Sequence, residues 1–290
     1  MNSARNTVAG LAFPVADARQ RRWSPKPLVR LALAIDCAAL LALLAFPPHW
    51  RAVLLVVLGN HLLLGSIGMW PRSRLIDHNI VCLPAAARTR GEVSLTFDDG
   101  PDPAVTPQVL DLLDRHGAKA SFFFPALQAA AHPALVQEVI RRGHSVENHS
   151  YRHANSFACY GWGRLRRELD TSQEVIAGLA DRTPEFFRAP MGLRSPLLDP
   201  VLALAGLRQV SWTRRGYDSV CGVSGKVLLR LTRGLAAGDI LLLHDGRAAR
   251  APSGEPVVLI VLPELLGQLA QSGLKSVSLP MAFHSNQAIH

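Results

Sequence analysis

From about Gly91 onward the chain alternates short β-rich runs with helical stretches, and this alternation restricts its fold more than any other feature. EVSLTF (92–97), ASFFFP (120–125), HSVEN (144–148), EFFRAP (185–190), QVSWT (209–213), DILLLHD (239–245) and KSVSL (275–279) read as strands. Helical spacing fills the gaps over 106–117, 132–144, 164–180, 196–205, 225–236 and 257–271. The first of these helices has Thr106 at a capping position, Pro107 in its first turn and Gly117 at its close. Strands separated by helices pair in parallel, because such a crossover returns the chain to the same end of the sheet. About seven parallel strands predict an α/β layered or barrel fold. Polar residues cluster just past the strand ends, the face that carries the active site in α/β barrels.

The chain's 49% hydrophobic content is not spread evenly. Residues 28–46 (LVRLALAIDCAALLALLAF) and 52–70 (AVLLVVLGNHLLLGSIGMW) are apolar runs of bilayer-spanning length, joined only by PPHWR. Asp36 interrupts the first run, at about 2.5–3.5 kcal/mol for a mid-helix charge. Ten Val, Ile, Leu or Phe residues in that run offset it at roughly −0.3 to −0.6 kcal/mol each. A signal peptide would be followed by a small-x-small cleavage site; Pro47-Pro48-His49-Trp50 stands there instead. The reading is a two-helix transmembrane hairpin, with two helices packed on the soluble domain as the alternative. Asp36 and His61 lie about 14–15 Å from the turn at ~1.5 Å rise per residue, so Asp36 is expected to pair with His61 or Asn60.

A net charge of +9 would suit nucleic acid or an anionic membrane surface. No nucleic-acid motif is present, so no nucleic-acid partner is expected. Arg5, Arg19, Arg21, Arg22, Lys26 and Arg30 crowd a polar tail (1–27) and the start of the first run. Arg72 and Arg74 follow the second run, whereas the turn has only Arg51. The positive-inside bias then places both ends of the hairpin, and everything after Trp70, on the cytoplasmic side of a bacterial-type inner membrane. The periplasmic side is the alternative. Cys37, Cys82, Cys159 and Cys221 are widely spaced and do not suggest a disulfide framework.

Five clusters carry chemistry. In SLTFDDGPDP (94–103), Asp98 and Asp99 end a strand; both reach one site only if the chain turns there, and Gly100-Pro101 suits a turn. A plain turn or helix cap would also use such a pair. In NHSYRH (148–153), His149 and His153 are four apart, hence on one face of a helix or helical turn, a spacing fit for two imidazoles on one metal. Two His and a carboxylate leave coordination positions open for water and substrate, as catalytic metals require. FFRAPMG (186–192), SWTRRGYDS (211–219) and ILLLHDG (240–246) each follow a strand and offer Arg188, Asp218 and His244 to the same rim. His78, His116, His132, His284 and His290 show no partner pattern and read as solvated.

In this order the five clusters resemble the motifs of the polysaccharide deacetylases (NodB homology domain, carbohydrate esterase family 4), over roughly residues 89–283. The resemblance implies a distorted (β/α) barrel binding one divalent metal, most often zinc, with 71–88 as linker and 284–290 as tail. It implies Asp99, His149 and His153 as metal ligands, Asp98 as general base held by Arg188, and His244 as general acid oriented by Asp218. Met191 would supply a backbone N–H to the oxyanion, and Leu242 would line the acetyl pocket. The implied activity is hydrolysis of an amino sugar's N-acetyl amide to free amine and acetate. N-deformylase, O-acetyl esterase and non-catalytic glycan binding are the alternatives. Two departures bear on substrate: Met191 stands where the family usually has an aromatic, and Arg215-Gly216-Tyr217-Asp218-Ser219 where it usually has Asp-x-x-Asp-Trp. Fewer aromatic platforms suit a long polymer less than a lipid-linked saccharide or glycolipid. The membrane anchor and basic residues Arg72, Arg74, Arg88 and Arg90 point to membrane lipid as a partner.

Overall fold

A computed structural model describes residues 22–284; Arg5, Arg19, Arg21, His290 and most of both expected tails lie outside the described residues. Its centre is β1 (Glu92–Asp98), buried at every position. Around it run β2 (Ala120–Phe124), β3 (Ser145–Asn148), β4 (Phe186–Phe187), β5 (Arg208–Gln209), β6 (Arg214–Arg215) and β7 (Ile240–His244), all parallel, in the order β5-β4-β3-β2-β1-β7-β6. A short β8 (Lys275–Ser276) pairs with the start of β1. Continuous burial, with no alternation, is what a parallel strand covered on both faces requires. The expected α/β fold of about seven parallel strands is the fold observed.

The seam departs from expectation. The single strand expected over 209–213 is two two-residue strands at opposite ends of the sheet order. Val210 N–H bonds to the Phe187 carbonyl and Thr213 N–H to the Ile240 carbonyl. Residues 208–215 thus leave β4 and join β7 within one extended stretch, curling the sheet towards closure.

The outer layer includes α4 (Thr106–Arg115), α5 (Ala126–Ala131), α6 (Pro133–Arg141), α7 (Trp162–Ala180), α8 (Leu198–Leu204), α9 (Ser224–Thr232) and α10 (Val257–Gln271). Apolar faces of α4, α6, α9 and α10 pack on Leu95, Phe97, Phe122 and Leu243. Each buried Phe or Leu contributes roughly 1.5–3 kcal/mol. Three helices were not expected: α3 (Ala85–Thr89), α5 and α11 (Leu279–His284). Each has six residues or fewer, too short for a helical period to register. Thr106 is not a cap but the first helical residue; its hydroxyl donates to Asp245 Oδ2 at 2.6 Å. Much of 71–88 is packed rather than loose: Ile80 bridges to Val210, and Leu83 and Ala87 join Phe123 and Phe186 in an interior cluster.

The hairpin consists of α1 (Pro27–Ala45) and α2 (Trp50–Gly68), joined by a 3-10 turn at Pro47–His49. Each helix has 19 residues, about 28 Å of rise against a ~30 Å hydrocarbon core. Mean hydropathy is 2.3 and 1.6 in the two spans, and only 17% of each is buried within the protein. Leu41, Leu44, Leu55 and Leu62 stand about two-thirds exposed, a surface suited to lipid. Between the helices, Asp36 meets both expected partners: Asn60 Nδ2 donates to its Oδ1 at 2.9 Å and His61 Nε2 lies 3.3 Å from its Oδ2. Asn60 also donates to the Ala32 carbonyl.

The base of the hairpin sits against the end of the barrel where the strands finish. A Cβ on Gly68 would overlap the Arg194 carbonyl, so only glycine lets α2 end there. Arg194 N–H bonds to the Gly68 carbonyl, and its buried guanidinium pairs with Asp77 and donates to the Trp70 carbonyl. Arg88 and Arg90 are placed differently from the expected juxtamembrane position. Arg90 pairs with Glu92 at the start of β1 and Arg88 packs by Gly238 before β7, both at the far end of the barrel.

Candidate active site

Four strand ends converge on one cleft. Its walls include Asp98, Asp99, His149, His153, Met191, Leu242 and His244. Asp99 has φ +70°, so the chain turns at that residue and both carboxylates face inward. Asp98 Oδ1 accepts from Arg188 Nη1 at 2.6 Å, while its Oδ2 lies 3.8 Å from His149 Nε2. Arg188 is wholly buried, yet satisfied: it also donates to Thr96 Oγ1 and the Ser211 carbonyl, and lies 4.1 Å from the Phe123 ring centroid.

His149 and His153 do not share a helix. Ser150 and His153 have φ +68° and +52°, and their loop is held by Asn148 Oδ1 accepting from Ser150 N–H and Ser150 Oγ accepting from His153 N–H. Side chains that capture local backbone donors compete with helix formation, which is why the spacing misled. The two imidazoles still meet, ring centroids 4.8 Å apart. His149 Nδ1 lies 2.7 Å from the Arg188 carbonyl, which fixes that nitrogen as donor and leaves Nε2 a free lone pair.

One atom each of Asp99, His149 and His153 lies within 4.8 Å of the others. Asp99 Oδ1 is buried without a well-formed hydrogen bond, although the His149 and His153 Nε2 atoms are 3.6 and 3.1 Å away. An orphaned carboxylate oxygen facing two imidazole lone pairs fits a divalent cation. Burial opposes ionisation of Asp99, yet His149, His153 and His244 hold its carboxyl below the usual range. Burial, then His149, holds His153 down at about 4.

Across the cleft, Asp218 fixes His244 twice. Oδ1 lies 2.9 Å from His244 Nδ1 and Oδ2 accepts from its backbone N–H at 2.7 Å. Burial alone would depress the His244 imidazole; Asp218, together with Asp98 and Asp99, outweighs it and raises the pKa. Met191 has φ +57° and lies at the cleft's edge, 40% exposed, while Leu242 is buried in its wall.

Every residue expected at the site reaches this cleft or binds a residue that does. The clusters' spacing did not single out Trp212, Arg215, Asp245 or Arg247. Trp212 and Arg215 line the cleft, and Arg247 Nη1 lies 3.4 Å from His153 Nδ1. Asp245 is buried beneath Gly100, where burial pushes its carboxyl up to about 7. His284 is exposed as expected but faces Glu185, and the half-buried His78 faces Asp199.

The model for the family described as polysaccharide deacetylase matches residues 85–210. A chitooligosaccharide deacetylase of Sinorhizobium fredii is 32% identical over 171 residues, 57% of this chain and 76% of that protein. The chain belongs to the polysaccharide deacetylase family. A peptidoglycan-N-acetylglucosamine deacetylase of Bacillus cereus is 31% identical over 202 residues, 68% of this chain and 70% of that one. A solved family 4 carbohydrate esterase from Streptomyces lividans, in complex with acetate, is 33% identical with a TM-score of 0.58, covering 64% of this chain and 91% of that one. As a polysaccharide deacetylase the chain is a hydrolase of N-acetyl amide bonds, as the sequence motifs implied.

Proposed function

We propose that the chain is a metal-dependent N-deacetylase acting on a saccharide carried at the membrane surface, with its barrel on the cytoplasmic side. The chemistry rests on one observation: two proton-handling pairs, Asp98 with Arg188 and His244 with Asp218, flank the cluster of Asp99, His149 and His153. A divalent ion held by those three, zinc in this reading, supplies Lewis acidity when bound. Asp98, oriented by Arg188 through Oδ1, takes a proton from water as the water oxygen attacks the acetyl carbon. The backbone N–H of Met191 meets the developing oxyanion. His244, its Nδ1 held by Asp218, delivers a proton to the nitrogen as the C–N bond breaks, leaving acetate and a free amine. Leu242 bounds the space for the acetyl methyl.

The membrane setting is supported by the docking of the hairpin. Pro71, three residues past the end of α2, abuts Gly192, and its carbonyl accepts from Ser211 Oγ at 2.5 Å. Gly192 and Trp212 are walls of the cleft, so the anchor and the site share a border. A saccharide on a lipid carrier or a glycolipid headgroup would reach that border without leaving the bilayer. Full-length protein in detergent, loaded with zinc, is expected to release acetate from N-acetylated saccharides, lipid-linked ones above free ones. Formate release from N-formyl sugars, or acetate from O-acetyl sugars alone, would reassign the acyl group; no acyl release from any would sink the reading. A reporter fused after His290 tests the side: active alkaline phosphatase there would place the barrel outside.

A further inference from the structure

We infer that Arg215 is an anion-binding residue that selects substrate, and that the acetylated saccharide carries a phosphate ester beside the sugar being deacetylated. This rests on the deacetylase reading above. In the β6–β7 register Arg215 is the partner of Leu242, and both residues line the cleft. Its neighbours' charges are matched: Arg188 meets Asp98, Arg194 meets Asp77 and Arg214 meets Asp239. Arg215 meets no carboxylate within 4.0 Å among the described residues, and its Nε is buried without a hydrogen bond. The guanidinium lies 5.2 Å from the Trp212 ring centroid and 4.8 Å from that of Tyr217, two contacts that hold a long side chain in place.

A partly desolvated guanidinium whose buried Nε has no partner is costly until an anion arrives. Its planar fork matches the oxygens of phosphate. The position favours phosphate over other anions. Segment 211–215 bonds to the chain just after the anchor, Ser211 to Pro71 and Thr213 to Arg72, and presents Arg215 a few residues on. A phosphate joining sugar to lipid would lie on that membrane side of the cleft. Arg247, exposed beside His153, adds a second cation at the rim.

The test uses full-length protein in detergent with zinc bound. Binding of N-acetylglucosamine 1-phosphate, of its farnesyl phosphodiester, of N-acetylmuramic acid and of neutral N-acetylglucosamine is followed by calorimetry. The phosphate-bearing ligands should bind at least about tenfold tighter than the neutral sugar, the gain expected of one charge-assisted fork. Arg215→Gln should remove that gain, and Arg215→Lys should keep part of it; zinc content and melting temperature of each variant show that it has folded. Tighter binding of the diester assigns the phosphate to a lipid carrier, and tighter binding of the monoester to a free sugar phosphate. Equal binding of charged and neutral sugars, equal preference for the carboxylate sugar, or discrimination surviving in both variants would overturn the inference. Acetate release from neutral chitooligosaccharide without any phosphate preference defeats this inference alone. Absence of acetate release from every saccharide defeats the deacetylase reading, while the binding comparison still decides Arg215.

Discussion

The hairpin and the barrel treat polar residues in opposite ways. Between α1 and α2 one polar cluster, Asp36 with Asn60 and His61, stands in a surface of exposed leucines, and the apolar exterior determines where the helices can reside. In the barrel the exterior is ordinary and the interior is exceptional: Arg188, Asp98, Asp218 and His244 are buried together at the strand ends. Burying ions costs several kcal/mol each unless partners surround them, so the barrel's core concentrates that cost where bonds are to be made and broken. The cluster between the hairpin's helices needs only to be satisfied. Function in one region is written in what is buried, in the other in what is exposed.

The largest effect should come from the barrel's buried pairs. Asp98→Asn is expected to lower kcat by ~10²–10⁴-fold while metal binding is kept, whereas Asp99→Ala, His149→Ala and His153→Ala should each lose both activity and metal binding. Metal analysis beside turnover separates the two classes; Asp98→Asn keeping more than about a tenth of the rate would contradict the assignment.

The junction comes next. Arg194→Met leaves Asp77 buried beside the hairpin's base without its cation, and should destabilise the barrel by about 3–5 kcal/mol. Asp77→Asn combined with Arg194→Met should recover part of it. Thermal unfolding in detergent reads both; a double variant no better than the single would show that the pair's charge is not what matters there.

A third contrast is in pH. Burial, with Lys119 and Arg142 adding to it, holds His144 down at about 4, so it is neutral in the fold. The unfolded chain binds the extra proton first, and stability from this residue is present above about pH 6.5 and lost as pH falls towards 4. The wild-type advantage over His144→Gln, which keeps an acceptor for Ala120 N–H, should shrink by up to about 3 kcal/mol across that window. Glu147 and Asp245, both pushed up to about 7 by burial, act in the reverse direction, so the difference between the two proteins is the quantity to measure.

The smallest effect belongs to the hairpin. His61→Leu should weaken helix association by about 1–2 kcal/mol, and replacing both Asp36 and His61 by Leu should restore it. Equal behaviour of the two variants in a membrane-insertion assay would mean that the pair contributes nothing.

Legibility in the sequence follows the same divide. The hairpin's spans shift by one or two residues from their apolar limits, because length alone defines them. In the barrel, β7 was legible as an apolar run and β1 as an alternation of Val93, Leu95 and Phe97 with polar residues, while the strand expected over 185–190 keeps only Phe186 and Phe187. Residues just beyond it turn away so that Arg188 can enter the interior. The spacing of His149 and His153 was right about proximity and wrong about conformation, since Asn148 and Ser150 bind the backbone that a helix would use. Arg215 was legible only as a departure from the family's usual Asp, not as a residue of the cleft, and Asp245 carried no local signal: Gly100, which covers it, is brought near only by the fold.

The contact of Pro71 with the cleft's wall has a kinetic consequence. Under the membrane reading, an active site fixed against the root of the hairpin cannot swing out into solution to sample it. Under the membrane reading the enzyme searches in two dimensions, and its turnover should follow the mole fraction of substrate in the bilayer rather than its bulk molarity. Diluting the substrate with inert lipid would slow the reaction; diluting the vesicles with buffer would not.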